Sequence, residues 1–237
     1  MRTLYTILIF LLLLSVQAQK TTITQLKVDK LINPLGLDSR NPDFSWRIKS
    51  DEYDLNQTHY QLFVATDKIF SKQSLVWNSG KVNSSESVYV KYQGKSLEYA
   101  TKYYWTVKVW TNQSAKPKQS KISTWTTGLM DKKNWNSDWI GVNNDDKKGP
   151  KSPYFTNDFV VGSRITSASL FITSRGIYEA HINGKRVGKS YLTPGWTSYN
   201  NRIQYQAYDV KDMLSSGDNR IGVILADGWF RNFRPNR

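Results

Sequence analysis

Apolar and polar residues alternate with a period of two through most of this chain, in short runs broken by Gly, Pro, Asn, Asp and Ser. That period puts successive side chains on opposite faces of an extended strand. Residues 26–28, 44–48, 60–65, 87–90, 103–110 and 123–127 are predicted strands, and 154–161, 165–173, 203–210 and 220–226 continue the series. The clearest pattern lies in residues 173–229. There Tyr178, Ala180 and Ile182 share one face, and Glu179, His181 and Asn183 share the other. Asn183-Gly184 between two alternating segments predicts a type I′ hairpin. Pro194-Gly195-Trp196 breaks the chain, residues 209–214 suit one helical turn, and residues 215–219 read as a stop. Many short strands at even spacing predict an all-β chain built of sandwiches.

Two features organise the first half. Trp46, within Phe44-Ser45-Trp46-Arg47-Ile48, reads as a core anchor. Tyr103, Trp105, Val107 and Val109 point one way, and the lead-in Leu97-x-x-x-Thr101-x-Tyr103 resembles the tyrosine corner of fibronectin type III domains. In such a corner the Tyr hydroxyl bonds back to the chain a few residues upstream. The expected organisation is a fibronectin type III-like sandwich over residues 22–128, a junction and loop over 129–153, and a second, jelly-roll-like β-sandwich over 154–237. Trp135 and Trp139 are expected to plug the contact between the two sandwiches.

Ahead of the strands, residues 1–18 have the marks of a secretory signal peptide. Arg2 supplies the positive end, residues 4–14 are nearly all apolar, and Val16-Gln17-Ala18 offers a cleavage site. The apolar run is short for a membrane span. With no cysteine in the chain there is neither a lipid-anchored cysteine nor a disulfide framework. The expectation is a secreted or periplasmic protein with no membrane anchor after cleavage. A net charge of +14 raises the question of a polyanion partner. The lysines are scattered, however, and the densest groups (Lys116, Lys118, Lys121; Lys132, Lys133; Lys147, Lys148) read as solvated loops, so no nucleic-acid partner is expected.

Catalytic constellations are thin. Two histidines and no cysteine leave little for metal or Cys-His chemistry, and His181 beside Glu179 reads as a surface pair. No Gly-x-Ser-x-Gly elbow and no phosphate-cradling Gly-rich loop occurs. Sugar binding suits the residue types better, because a flat aromatic ring covers the apolar face of a sugar while nearby amides and carboxylates bond its hydroxyls. Trp196, Tyr199, Asn200, Asn201, Asp227 and Trp229 are the candidate carbohydrate-binding residues, with structural roles in turns and core as the alternative for each. No catalytic and no metal-ligating residue is assigned. Calcium is a candidate ion through oxygen ligands in the same neighbourhood, and Asn144, Asp145 and Asp146 form a second oxygen-rich stretch without EF-hand spacing.

A wider set of motifs, in order, is similar to the N-terminal part of bacterial α-L-rhamnosidases. The set comprises Asn33-Pro34-Leu35-Gly36, Pro42-Asp43-Phe44-Ser45-Trp46-Arg47, Val76-Trp77-Asn78-Ser79-Gly80 and Tyr103-Tyr104-Trp105. It continues with Trp139-Ile140-Gly141, Gly176-Ile177-Tyr178-Glu179, Asn183-Gly184-Lys185-Arg186-Val187-Gly188, Pro194-Gly195-Trp196-Thr197 and Asp227-Gly228-Trp229. That family consists of inverting glycoside hydrolases with a helical catalytic barrel. The resemblance implies a fibronectin-like domain and then a sandwich related to rhamnose-binding modules, calcium-dependent in some members. The barrel and its two carboxylates would follow, and they are absent from these residues. The resemblance thus implies a non-catalytic N-terminal portion, an incomplete second sandwich and a rhamnose-containing glycan as partner. A free-standing secreted carbohydrate-binding or adhesion protein is the alternative.

Overall fold

The computed structural model describes residues 21–142 and 152–230. The signal-peptide residues, Asn144 to Asp146 and the last seven residues lie outside the described residues. The architecture is all-β, with antiparallel sheets. By internal contacts the chain divides into two compact units. The first comprises Met1–Ile32, Asn41–Lys95 and Tyr104–Ser123, and the second Asn33–Arg40, Ser96–Tyr103 and Thr124–Arg237.

In the first unit β1 (Thr22–Val28), β2 (Asp43–Lys49) and β6 (Val90–Lys91) form one sheet in the order β1-β2-β6. A second sheet runs through β4 (Leu75–Asn78), β3 (Gln57–Ala65), β7 (Lys102–Thr111) and β8 (Ser114–Gln119), with β5 (Val82–Asn83) also on β3. The strand alternation explains the core between them. On β7, Trp105, Val107 and Val109 are all buried, while Lys108 and Trp110 turn outward. Phe44 meets Trp105 edge-on at 4.8 Å, and Trp46 meets Tyr60 at 5.3 Å. The Trp46 indole N–H donates to Gln57 Oε1 at 2.9 Å, so this anchor's buried donor is paired. Three strands escape the sequence pattern: β4, β5 and β8. In β8 every residue but the first is exposed, and Lys116 and Lys118, expected in a loop, are strand residues at the sheet edge. A charged, Pro-bearing edge strand carries no period-two signal because neither of its faces enters a core.

The second unit begins with chain segments that flank the strands above. Tyr103, 1% exposed, stacks on Trp125 at 5.0 Å, and its hydroxyl accepts the Glu98 N–H at 2.7 Å. This is the tyrosine corner expected from the lead-in sequence. β9 (Ser123–Thr126) leads to Thr127, whose hydroxyl donates to the Glu98 carbonyl at 2.7 Å. Beyond it, β10 (Tyr154–Val161), β15 (Gly217–Ala226), β12 (Ile177–Ile182) and β13 (Lys185–Arg186) form a sheet in that order, and β11 (Ser169–Ile172) pairs with β14 (Gln206–Asp209). Tyr178, Ala180, Ile182, Val187 and Val210 form the core, covered by Leu170, Ile172, Tyr208 and the inward side chains Ile221, Val223 and Leu225 of β15. Asn183 and Gly184 take φ of +50° and +77° between β12 and β13, the left-handed pair that a type I′ turn requires.

Several strand boundaries move relative to the sequence pattern, those of β1, β3 and β11 among them. β14 begins at Gln206 rather than 203, and β15 begins at Gly217, inside the expected stop. The reason for the second is pairing: Gly217, Asp218 and Asn219 oppose Val161, Val160 and Phe159 of β10 in unbroken register. Asn219, 3% exposed, explains how a polar residue survives there. Its Oδ1 accepts Asn183 Nδ2 and the Ser215 N–H, and its Nδ2 donates to the Ser215 and Gly217 carbonyls, each at 2.8 Å. The single helical turn expected at 209–214 is a 3-10 turn over Lys211–Met213.

Candidate functional site

Within the second unit a cleft of about 690 Å³ opens among three chain segments. Residues 129–139 supply Trp135 and Trp139, the end of β11 supplies Thr173 and Arg175, and the loop before β14 supplies Tyr199, Asn200, Asn201 and Tyr205. Such a volume lies within the ~300–1,000 Å³ usual for small-molecule sites.

Tyr205 holds one wall. Its hydroxyl donates to Asp38 Oδ1 at 2.6 Å and accepts the Leu129 N–H at 2.9 Å. Asp38 Oδ1 also accepts the Met130 N–H at 2.8 Å, so the carboxylate pins the start of the 129–139 segment. The ring of Tyr205 packs against Trp135 at 5.8 Å and Phe171 at 6.0 Å. Gly128 makes the arrangement sterically feasible: a Cβ there would sit 2.2 Å from the Tyr205 hydroxyl oxygen and 2.4 Å from Asp38 Oδ1. Burial, and then the hydrogen bond to Asp38, push the Tyr205 phenol well above its ordinary value.

Aromatic rings and a cation make the opposite wall. The Arg175 guanidinium lies over Trp139 at 5.2 Å and over Phe230 at 5.6 Å. Tyr199 meets Phe230 edge-on at 5.3 Å. Trp139 remains 57% exposed, so part of its ring is open to a ligand. The Tyr199 hydroxyl oxygen is buried and has no hydrogen-bond partner among the described residues. Next to it a turn closes on Ser198, whose carbonyl accepts the Asn201 and Arg202 N–H groups at 2.8 Å. Asn201 Nδ2 donates to Ser198 Oγ at 3.0 Å.

The six residues singled out in the sequence separate into two groups. Tyr199, Asn200 and Asn201 line the cleft. Trp196, Asp227 and Trp229 do not. Trp196 is 74% exposed on a loop tied to β12 by reciprocal bonds: the Tyr178 N–H donates to the Thr193 carbonyl, and the Thr193 hydroxyl donates to the Tyr178 carbonyl. Asp227-Gly228-Trp229 leaves β15 across Gly176, where a Cβ would come 2.3 Å from the Ala226 carbonyl oxygen. That crossing fixes the path that delivers Phe230 to Arg175. Asp38, Arg175 and Tyr205 belong to the cleft but carried no local signal in the sequence, and Trp135 lines it although the sequence singled it out only as a plug. For calcium, the described residues bring together no group of three or more His, Cys, Asp or Glu able to hold a metal ion. His181 and Glu179 form a surface pair at 3.3 Å, with Arg186 on the same carboxylate at 2.9 Å.

Comparison with known proteins matches two family models to the chain. A family model described as "Rha78A-like, N-terminal immunoglobulin domain" matches residues 23–131, and one described as "Alpha-L-rhamnosidase N-terminal domain" matches residues 163–236. The chain carries the N-terminal region of the α-L-rhamnosidase family. An α-L-rhamnosidase of Formosa agariphila is 34% identical over 235 residues, covering 87% of this chain and 25% of its own length. The structure of α-L-rhamnosidase from Dictyoglumus thermophilum superposes with a TM-score of 0.79 at 36% identity, over 87% of this chain and 25% of that one. The Streptomyces avermitilis α-L-rhamnosidase complexed with L-rhamnose is similar at a TM-score of 0.51 and 28% identity, over 88% of this chain and 22% of that one. The chain thus spans about a quarter of the length of these rhamnosidases.

Proposed function

We propose that this chain is the non-catalytic N-terminal portion of a secreted α-L-rhamnosidase, a hydrolase of terminal α-L-rhamnosyl residues, and that its second sandwich binds rhamnose-containing glycans. The observation that carries the binding role is the cleft in which Trp135, Trp139 and Tyr199 converge with the amides of Asn200 and Asn201 and the Arg175 guanidinium. A deoxyhexose has an apolar face and a set of hydroxyls. The exposed part of Trp139 suits the first, and the amides and the guanidinium suit the second. The similarity to rhamnosidases, one of them complexed with L-rhamnose, supports the choice of sugar.

Titration of the chain with L-rhamnose, with and without calcium, tests the binding role. A response in the millimolar range, about −4 kcal/mol, is expected. It should fall at least fivefold in Trp139→Ala and in Asn200→Ala/Asn201→Ala. The same response from these variants, or none from wild type at high millimolar sugar, would refute it. Turnover of an aryl α-L-rhamnoside by the pure chain would overturn the non-catalytic assignment.

A further inference from the structure

The first unit holds a second cleft, of about 530 Å³, unrelated to the one above. It lies along the outer side of β1 and β2 and under residues 85–89. Lys27, Lys30 and Arg47 line it, and no Asp or Glu does. β1 and β2 bring the cations together: Thr24 opposes Arg47 and Lys27 opposes Ser45, with the register interrupted between Thr24 and Lys27. Ser45 and Arg47 are two apart on β2 and share the face opposite the buried Phe44 and Trp46. Among the described residues none of the three cations is in an ion pair, although seven other ion pairs form, three of them using Asp43, Asp158 and Asp209. The carboxylate nearest in sequence is committed elsewhere, since Asp29 Oδ1 accepts the Asp43 N–H at 2.6 Å.

The remaining lining is neutral, part apolar through Ile48, Leu55 and Val88 and part polar. Ser45, Ser85 and Ser87 offer hydroxyls, and Asn56 an amide. Tyr89 adds one ring, 56% exposed, held in place from two sides. Its N–H donates to Ser45 Oγ at 3.1 Å with φ at +56°, and Lys30 Nζ lies 5.6 Å from its ring centroid. Three unpaired cations in a carboxylate-free cleft favour a multiply charged anion, because each keeps its charge available to the ligand. Hydroxyls and an amide beside a single ring suit a sugar polymer better than a nucleic acid strand, which takes several stacking rings in succession.

We infer that this cleft on the immunoglobulin-type domain is a binding site for an anionic glycan, one carrying sulfate esters or carboxylates, and so holds an acidic polysaccharide independently of the rhamnose cleft. The glycan identity rests on the chain's place among glycan-active proteins, while the anion preference rests on the cleft alone.

The test uses the chain with four probes: dextran sulfate oligosaccharide, oligogalacturonate, neutral dextran, and a short DNA duplex, with affinities measured at low and at physiological salt. One or both acidic saccharides should bind, more weakly as salt rises, and neutral dextran should not. Whichever of the two binds more tightly assigns sulfate or carboxylate as the anionic group. Lys27→Ala/Arg47→Ala should weaken binding roughly tenfold, as two solvent-accessible charge contacts allow, with unchanged thermal unfolding. Tyr89→Ala should weaken the saccharides by about threefold while retaining the salt dependence, in keeping with one partly exposed ring. Lys116→Ala/Lys118→Ala on the exposed edge strand should bind as wild type. Equal loss from the two double variants would mean a diffuse charge effect and overturn the site, as would absence of binding by either acidic saccharide. Tighter binding of DNA than of both saccharides would overturn the glycan assignment. Loss of the rhamnose response in Trp139→Ala leaves this outcome untouched, so the two readings fail separately.

Discussion

Replacing Tyr205 with Phe removes one oxygen atom from the wall of the aromatic cleft and leaves its ring contacts with Trp135 and Phe171 in place. The missing hydroxyl donates to a carboxylate at 2.6 Å and accepts a backbone N–H at 2.9 Å. A hydrogen bond to a charged group contributes ~1.5–3 kcal/mol and a neutral one ~1 kcal/mol. Asp38 keeps its bond from Met130, and water can reach the cleft, so about half of that sum is recovered. The expected loss is about 2 kcal/mol, or ~4–8 °C in the unfolding midpoint for a chain of this size. Differential scanning calorimetry measures it. Gly128→Ala sharpens the test, since its methyl group would meet the same hydroxyl oxygen and Asp38 Oδ1. In the double variant the clash with the hydroxyl is gone, so the two effects should sum to less than their separate values. High pH adds a second readout. The folded state raises the Tyr205 phenol above 10.0, chiefly by burial, so it favours the neutral form. That contribution is intact below pH 10 and is lost as pH rises from there toward the folded value. Tyr205→Phe should therefore flatten the alkaline limb of the stability curve. A midpoint shift under ~1 °C, together with an unchanged alkaline limb, would refute the view that this hydroxyl braces the cleft.

Three further predictions follow from other parts of the second unit. Asn219→Ala leaves Asn183 Nδ2, the Ser215 N–H and two carbonyls without their partner, and should cost about 3 kcal/mol in urea denaturation. Gly184→Ala meets open space but must hold φ at +77°, so it should cost about 1 kcal/mol, all of it backbone strain. Asp158→Asn breaks a two-pronged contact with Arg220, yet both side chains are about two-thirds exposed. The thermal midpoint should stay where it is, and a clear drop would mean that the pair is less solvated than its exposure implies.

Residues with one face in a core announced themselves in the sequence. Trp105, Val107 and Val109, or Tyr178, Ala180 and Ile182, alternate with polar neighbours because the sheet forces the period, and Asn183-Gly184 is a turn whose chemistry is local. β8 was silent because its side chains meet solvent on both faces. β15 was read short because Asn219 looks like a turn residue until its four partners are known, and one of those comes from the distant Asn183. The aromatic cleft was half legible for a related reason. Tyr199, Asn200 and Asn201 are neighbours in the chain, whereas Tyr205 and Asp38 lie 167 residues apart and meet only after folding. Arg175 carried no signal, since nothing local points to Trp139 and Phe230 as its platforms.

The position of β15 also bears on how this unit comes to be made. β10 and β12 both pair with β15 and not with each other, in unbroken runs from Gly217 to Ala226. While the chain emerges from the ribosome, both strands must wait, one edge bare, for a segment encoded after the other described strands of that sheet. Contacts of such sequence separation close slowly, and the waiting edges are open to strands of neighbouring molecules. For these described strands the vulnerable interval lasts until Ala226 has cleared the exit tunnel. Slow codons or crowding upstream of that point would be felt as aggregation, with the finished fold unchanged.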